Sequence, residues 1–293
     1  MASLAGVASA AGSGCELPEQ TSDARARASK RMPVVYVPHG GGPWPFAELG
    51  FDKSELVALA DYLRGLAGIT PTRPTALLVV SAHWEEAVPT VMTSPAPPML
   101  YDYYGFPPET YTVQWPALGN PGLAARVRTL VEGAGFATAE DPNRGFDHGT
   151  FVPLKLTYPD ADIPTIQLSL KAGLDPVEHL SIGRALAPLR DEGVFIIGSG
   201  MSFHNMRGFR DPSLRSAAGT FDEWLCKAAV ADPEVRATQL NSWAKAPQAR
   251  MCHPREEHLL PLMVIAGAAG QDIGVLSFQG VVGRMPVSGY QFG

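Results

Sequence analysis

The sequence predicts one α/β domain whose central sheet is at least partly parallel and is flanked by helices. From Met32 onward, short apolar runs alternate with segments that begin with helix-capping residues, and this alternation is typical of α/β sheets covered on both faces. Several apolar runs also lead into Gly, Ser and His, which indicates a site at the carboxyl ends of the strands. No linker interrupts the body of the 293-residue chain, so a single domain is expected.

Five short runs are strand candidates, because most of them are too apolar to be half exposed, as is usual for buried parallel strands. They cover residues 33–37, 76–81, 163–170, 194–198 and 274–279. Helical segments lie between these runs, as a sheet with helical crossover connections requires.

The helical segments have recognisable ends. Asn120 followed by Pro121 indicates an N-cap and a first-turn proline for a helix over residues 123–131. Asp175 with Glu178 three residues later is typical of a capping box, which predicts a second helix from this point. Further helices are predicted over residues 54–66, 214–229 and about 258–269.

Composition and charge exclude several classes of protein. The chain has 23 basic and 29 acidic residues, a net charge of -6 and no basic stripe, which argues against nucleic acid or an anionic membrane surface as a partner. No apolar run approaches the roughly 20 residues that span a bilayer. A small molecule is therefore the expected partner.

Residues 1–32 differ from the rest and are interpreted as a flexible N-terminal extension before a folded unit over residues 33–293. The stretch lacks the basic start and the hydrophobic run of a secretory signal. An organelle transit peptide is the alternative, and acidic residues within the stretch argue against it. The three cysteines are odd in number and far apart, so no disulfide framework is expected. These features predict a cytoplasmic protein.

Four of the seven histidines lie in short segments flanked by Gly, Ser or Asn that follow or adjoin apolar runs. They are His39, His83, His148 and His204. Neutral imidazole is a common ligand of iron and zinc, and a sheet edge brings residues from several strand ends together. The pattern therefore indicates one metal site. His179, inside a predicted helix, and His253, in a lone Cys-His pair, are interpreted as structural or surface residues.

The three glycines after His39 have a second interpretation, because a His-Gly-Gly-Gly run also forms the oxyanion hole of lipase-like hydrolases. That fold needs a Gly-x-Ser-x-Gly turn for its nucleophile. The nearest approach surrounds Ser181, where the first residue is His179 and the segment is predicted to be helical. The sequence therefore favours metal binding over this hydrolase chemistry.

Seven short segments combine His, Gly, Pro and aromatic residues: PHGGGP at 38–43, SAHW at 81–84, GFP at 105–107, GFDHG at 145–149, YPDADIP at 158–164, SGMSFHN at 199–205 and EHLLPL at 257–262. In this order they resemble the segments of the class III extradiol ring-cleavage dioxygenases, and in particular the branch named 4,5-DOPA dioxygenase extradiol. The resemblance runs from about residue 32 to the C-terminus.

The resemblance implies that His39, His83 and His258 are the metal ligands. The broader superfamily usually completes a set of two histidines and one carboxylate with Glu, whereas this sequence has His258 at the corresponding place. The neighbouring Glu257 remains an alternative ligand. The implied working metal is Fe(II), because dioxygen chemistry needs a redox-active ion, and zinc can take its place in purified protein through its greater affinity.

The resemblance also assigns the remaining site residues. His204 corresponds to a histidine beside the metal that acts as acid and base or as a fourth ligand, and His148 to a second histidine facing the substrate. Tyr103, Tyr104 and Phe106 are candidate walls of the substrate pocket. The implied reaction is extradiol cleavage of a catechol by O2 to a muconic semialdehyde.

Two other function classes stay open. One is a binding protein like those of the Memo group, which share this fold and part of the histidine site, and the other is a zinc hydrolase. The catechol itself is not specified: L-DOPA, caffeate and other substituted catechols all fit, and Arg144, Arg207 and Arg255 are candidates for binding a carboxylate. A homodimer is the expected oligomer only because dimers are the commonest.

Overall fold

The computed structural model describes residues 31–47 and 53–293, and one eight-stranded sheet forms the centre of this part of the chain. The strands lie in the order β4-β3-β5-β2-β6-β1-β8-β7. Their bounds are β1 (Val34–Pro38), β2 (Ala76–Glu86), β3 (Thr90–Met92), β4 (Ala139–Asp141), β5 (Thr165–Lys171), β6 (Val194–Gly200), β7 (Gly274–Val282) and β8 (Met285–Phe292).

The helices that cover the sheet are α1 (Lys53–Gly65), α2 (Pro121–Gly133), α3 (His148–Thr157), α4 (Pro176–Leu186), α5 (Arg215–Val230), α6 (Pro233–Asn241), α7 (Ala249–Cys252) and α8 (Leu260–Ala269). Helix α8 is buried along its whole length, because it packs between α4 and the central strands. Within the described residues, we find no helix that is both long enough and apolar enough to cross a membrane.

The four central strands β5, β2, β6 and β1 run parallel, with Leu78 paired to Ile196 and Val35 to Ile197. The antiparallel strands β8 and β3 flank this group. The predicted single α/β domain with a partly parallel sheet is therefore confirmed. Because β6 lies between β1 and β2, the carboxyl ends of these three strands are neighbours, and residues that follow them come together.

The two predicted N-cap residues cap their helices, but the predicted capping box does not form. The Asn120 side chain accepts a hydrogen bond from the backbone N of Leu123 at 3.0 Å, as an N-cap does. Asp175 caps α4 by accepting from the backbone N of Val177 at 2.7 Å. Glu178 does not complete a capping box, because its carboxylate pairs with Lys171 Nζ at 2.8 Å instead.

Several elements differ from the prediction. Strands β3 and β4 have three residues each, which is too short for a recognisable pattern. Strand β8 contains Pro286 and Gly289, both uncommon within strands, and its pairing with β1 and β7 overrides that preference. Helix α3 has Pro153 in its interior and was not predicted for that reason. Helix α6 was also not predicted.

Strand β2 is longer than predicted and contains His83. The expected end at Ser81 is instead a change of register, because the pairing of β2 with β5 skips from Val80 to Glu85. His83 therefore lies in an irregular stretch inside β2 and not in a loop after it. Such irregular stretches redirect a side chain and are common beside functional sites.

Most of the extension predicted over residues 1–32 lies outside the described residues, which begin at Arg31. Met32 is buried and is held at both backbone groups by one residue. Its N donates to Arg190 O at 3.0 Å, and its O accepts from Arg190 Nε at 2.8 Å. The packed part of the chain therefore includes Met32.

Candidate metal centre

Strand ends bring the histidines together. His39 directly follows β1, and its backbone N donates to Gly200 O at 3.0 Å, at the end of the adjacent β6. His258 lies just before α8, and its carbonyl oxygen accepts from Met201 N at 3.1 Å and from Tyr36 Oη at 2.8 Å. A Cβ atom at Gly200 would lie 2.1 Å from His258 O, so only glycine permits this close approach.

Three imidazoles turn the same nitrogen toward one point. His83 Nε2 lies 3.3 Å from His39 Nε2 and 3.2 Å from His258 Nε2. Two nitrogen ligands bound at about 2.1 Å to one ion are roughly 3.0–3.5 Å apart, so these separations match those of shared ligands. The rings meet edge to face, with centroids 4.9 Å apart for His39 and His83 and 4.8 Å apart for His83 and His258.

Asp102 determines which nitrogen of its neighbours carries the proton. Its Oδ1 accepts from the backbone N of His148 at 2.9 Å and lies 2.8 Å from His148 Nδ1, and its Oδ2 lies 3.4 Å from His83 Nδ1. An ionised carboxylate only accepts, so each Nδ1 that faces it carries a proton. The Nε2 atoms of both rings are thereby left with lone pairs.

Glu257 accepts from the Nδ1 atoms of His258 and His204, as Asp102 does for His83 and His148. Its Oε1 lies 3.0 Å from His258 Nδ1 and 3.2 Å from His204 Nδ1. The rings of His204 and His258 are stacked, with centroids 3.3 Å apart and planes inclined by 17°. Each carboxylate thus contacts one inner imidazole and one flanking imidazole, and both inner Nε2 atoms are unprotonated acceptors facing each other. A cation between them would satisfy this arrangement.

A buried ionic network supports His83 from behind. The Asp147 carboxylate accepts from Ser81 Oγ at 2.7 Å, from Arg144 at 2.7 Å and from Gln167 Nε2 at 2.8 Å. It also caps α3 by accepting from Thr150 N at 3.1 Å. Because Arg144 donates to His83 O at 3.2 Å as well, the network connects β2, β5 and the start of α3.

Helix α3 starts against β2, which brings His148 to the site. The adjacent Gly149 makes this possible, because a Cβ atom there would lie 2.7 Å from Ser81 Oγ and 3.0 Å from His83 Cδ2. The ring centroid of His148 is 3.9 Å from that of His83 and 5.3 Å from that of His39. His39, His83 and His148 form one group of possible ligands, and a second group contains His204, Glu257 and His258.

Burial keeps the inner imidazoles neutral. It lowers the pKa of His83 to about 4, with a further contribution from the nearby His148. The pKa values of His39 and His258 lie well below the usual value, first because both rings are buried and then because neighbouring imidazoles oppose a second positive charge. Neutral imidazole is the form that binds metals, so these three nitrogens are available at neutral pH.

The two carboxylates remain ionised for the opposite reason. Burial alone would raise the pKa of Asp102, but its hydrogen bonds with His148 and the nearby imidazoles together outweigh burial and lower the pKa to about 2. Burial would also raise the pKa of Glu257, but its hydrogen bond with His204, a backbone hydrogen bond and the nearby His204 and Arg255 together lower it. Both side chains therefore act as hydrogen-bond acceptors for the imidazoles.

The imidazoles lie at one side of a cavity of about 570 Å³. The five histidines and three aromatic residues that the resemblance assigns to the site all line it: His39, His83, His148, His204, His258, Tyr103, Tyr104 and Phe106. Tyr103 is buried and donates through its hydroxyl to Thr110 O at 2.7 Å, whereas Tyr104 is 92% exposed at the edge of the cavity. The remaining lining residues are Gly40, Gly41, Gly42, Asp102, Met201, Met206, Phe209 and Val282.

Sequence analysis did not identify Asp102 or Asp147. Asp102 is the one acidic residue in the aromatic segment from Tyr101 to Tyr104. A single carboxylate among aromatic residues was the only feature of the sequence that indicated a role for it. Asp147 immediately precedes His148 in the GFDHG segment. Apart from Arg144 and Thr150, the partners of these two carboxylates lie 19 to 66 positions away in the chain, so only the fold reveals what they bind.

The other histidines and the candidate arginines lie elsewhere. His179 accepts from Lys171 N at 3.1 Å through Nε2, and His253 is hydrogen-bonded to Ser202 O at 2.9 Å, so both are structural. Arg255 pairs with Glu85 and lies 3.5 Å from Glu257 Oε2. Neither Arg255 nor Arg207 is among the residues that line the cavity.

The chain is similar to several known proteins. The family described as the catalytic LigB subunit of aromatic ring-opening dioxygenase matches residues 60–292. The dioxygenase tasH of Hapsidospora irregularis is 39% identical over 265 residues, covering 84% of this chain and 81% of that protein. A 4,5-DOPA dioxygenase extradiol of Beta vulgaris is 44% identical over 204 residues, covering 68% and 75%.

A solved structure also resembles the chain. The crystal structure of an uncharacterized protein from Escherichia coli K12 matches with a TM-score of 0.73 and 31% sequence identity. The match covers 90% of this chain and 100% of that one. The similarity therefore extends over most of the chain.

Proposed function

The chain belongs to the LigB family of aromatic ring-opening dioxygenases, and from this premise we propose that it cleaves a catechol ring beside its two hydroxyl groups with O2. The product would be a muconic semialdehyde that contains both oxygen atoms. The observation that carries the proposal is the convergence of the Nε2 atoms of three neutral imidazoles at one end of a largely apolar cavity.

We propose that His39, His83 and His258 hold the metal, which in the working enzyme is Fe(II). The separations of 3.2 and 3.3 Å between their Nε2 atoms support this set. Glu257 is placed outside the set, because its Oε1 contacts the Nδ1 edges of His204 and His258, opposite their Nε2 atoms. A bound Fe(II) would supply Lewis acidity toward the catechol oxygens and the electrons that reaction with O2 requires.

His204 is the proposed proton carrier. Its Nδ1 faces Glu257, which leaves Nε2 as the atom that accepts a proton from a catechol hydroxyl. The side chain is 22% exposed and lines the cavity, so a substrate ring can reach it. Once protonated, His204 is held by the Glu257 carboxylate and can return the proton when the ring opens. A role as a fourth ligand is the alternative.

His148 is the proposed substrate-binding histidine. Asp102 accepts from its Nδ1 and from its backbone N, so both the ring and the start of α3 are fixed. Its Nε2 is then free to accept a hydrogen bond from a bound catechol. Tyr103 and Phe106 form the adjoining wall, with ring centroids 5.7 Å apart, and fit an aromatic ring by edge-to-face packing.

Anaerobic loading of the protein with Fe(II), followed by 4-methylcatechol and O2, tests the proposal. We expect one O2 consumed per catechol and a yellow ring-opened product, and the matched zinc-loaded sample should produce neither. A protein that binds catechol but consumes no O2 would be a binding protein of the Memo type. Ester or amide hydrolysis by the zinc-loaded sample would instead identify a hydrolase.

A further inference from the structure

Apart from Asp102, the side chains that line the cavity beyond the imidazoles are aromatic or aliphatic. Phe106, Met201, Phe209 and Val282 line it together with the three glycines after His39. A Cβ atom at Gly42 would lie only 3.2 Å from the Phe106 ring, so the ring is packed directly against this backbone. A substrate group that extends from the metal face therefore meets aromatic and aliphatic surface first.

The mouth of the cavity is apolar as well. Tyr104 and Met206 line it and are 92% and 68% exposed, which makes them the two most exposed of the large hydrophobic residues in the described chain. Large apolar side chains left in water at the edge of a ligand cavity commonly contact the ligand when it binds. The surface available to a ring substituent is thus apolar from the metal face to solvent.

The charges around the cavity disfavour an anionic substituent. Among the described residues that line it, none is Arg or Lys, and Asp102 contributes a carboxylate. Arg144 is held behind His83 by Asp147 and by a backbone carbonyl. Arg255 is paired with Glu85 and Glu257. A carboxylate on the substrate would lose its hydration here without gaining a cationic partner.

We propose that the preferred substrate is a catechol whose ring substituent is uncharged and apolar, and that the enzyme discriminates against substituents ending in a carboxylate. The proposal rests on the proposed ring cleavage and deepens it, because it names the substrate class. Both catechol oxygens bind at the imidazole end, and the substituent lies against Phe106 and Phe209 and reaches the mouth at Tyr104 and Met206.

Matched substrates test the proposal. We would compare 3-(3,4-dihydroxyphenyl)propanoate, its methyl ester and 4-butylcatechol at a pH near 7.5, where the acid is ionised. We expect kcat/KM for the ester and for butylcatechol to exceed that for the acid by at least about 10-fold, mainly through KM. Equal values, or a preference for the acid, would overturn the proposal.

A binding measurement separates this proposal from the proposed reaction. The same three compounds are titrated anaerobically into the zinc-loaded protein, where no turnover occurs. Tighter binding of the ester than of the acid supports the substrate class even if no O2 is ever consumed, in which case ring cleavage alone is wrong. Equal affinities overturn the substrate class even if 4-methylcatechol is cleaved normally.

A charge placed at the mouth gives an independent test. Met206→Arg should reduce the preference for ester over acid by about 3-fold, since a solvent-exposed ion pair contributes only modestly to binding. Val177→Arg adds the same charge on α4 at a residue that is 49% exposed and does not line the cavity, and it should leave the preference unchanged. An equal effect of both substitutions would contradict the proposed path of the substituent.

Discussion

At the scale of single residues, the site depends on two carboxylates that each contact two imidazoles. Asp102 contacts His83 and His148, and Glu257 contacts His258 and His204. One member of each pair belongs to the proposed ligand set, and the other flanks it. A change at either carboxylate should therefore affect metal binding and proton transfer together, which a change at one histidine does not.

Asp102→Asn should weaken metal binding by about 10- to 100-fold, as is usual when the hydrogen-bond partner of a ligand histidine is removed. The amide no longer requires a proton on the Nδ1 atoms of His83 and His148, so the lone pair at Nε2 is no longer assured. Metal affinity is measured by competition with a chelator. Asp160→Asn, at an exposed position, is the control, and an unchanged affinity in Asp102→Asn would show that this carboxylate does not orient the ligands.

The proposed ligands are tested by His39→Ala, His83→Ala and His258→Ala. Each should abolish stoichiometric iron binding, because two imidazoles remain where three are needed. Circular dichroism should show the fold retained, since removal of a buried imidazole takes away no large apolar contact. His148→Ala is the matched control and should keep its iron. Any variant of the first three that retains a full equivalent of iron removes that residue from the ligand set.

His204→Gln separates proton transfer from metal binding. We expect the variant to keep iron and to bind catechol but to lose about 100-fold or more in turnover, as loss of general acid–base catalysis does. Iron content and single-turnover rate are measured on the same preparation. Iron lost in parallel with activity would make His204 a fourth ligand, and near-normal turnover would exclude both roles.

At the scale of secondary-structure elements, the start of α3 is where the fold and the site are coupled. Asp147 caps this helix and also accepts from Ser81, Arg144 and Gln167. Its side chain is completely buried, so each partner depends on it for a hydrogen bond. The N-cap Asp175 of α4 is exposed, which offers a direct comparison between two capping aspartates.

Asp147→Asn should lower the free energy of unfolding by about 3–5 kcal/mol, because it removes the charge of a fully buried carboxylate and leaves the half-buried Arg144 without its ionic partner. Asp175→Asn should cost less than about 0.5 kcal/mol, since Asn is an equally good N-cap. Urea unfolding of the metal-free proteins measures both. Similar losses in the two variants would mean that the buried network adds nothing beyond the cap.

Helix α3 also shows which parts of the fold could be predicted from the sequence and which could not. The strands that carry the site were predictable because their apolar runs and the Gly- and His-containing segments after them are contiguous. Helix α3 was not, because Gly149 and Pro153 disfavour a helix unless tertiary packing supports it. The histidines were found by their flanking residues, whereas the role of Asp102 depends on a contact with His148, 46 positions away.

At the scale of the whole molecule, we expect the protonation of His253 to make folding stability depend on pH. This ring lies outside the metal centre, and burial, followed by weaker effects, lowers its pKa to about 4. In the unfolded chain the pKa returns to about 6.5, so between these values the unfolded state binds the additional proton. Stability is therefore unaffected by this group above pH 6.5 and falls as the pH decreases toward 4.

His253→Gln should make the loss of stability between pH 6.5 and pH 4 smaller by up to about 3 kcal/mol. The reason is that the pKa of His253 differs by about 2.5 between the folded and the unfolded chain, and each pKa unit corresponds to about 1.4 kcal/mol. Unfolding free energies of the metal-free wild type and variant are compared at each pH, so that the other buried histidines cancel. Parallel curves for the two proteins would show that His253 does not take up a proton on unfolding.

The arrangement of β6 between β1 and β2 has a consequence for how the protein matures. The proposed ligands His39 and His258 are 219 positions apart, and their contact requires the strand that lies between β1 and β2 to be in place. Closing so long a loop is entropically costly and slow, so the three nitrogens meet only when nearly the entire sheet has assembled. A nascent chain emerging from the ribosome thus has no centre to capture an ion until α8 has been synthesised. With the proposed ligand set, we therefore expect the protein to bind its metal only after the sheet has folded.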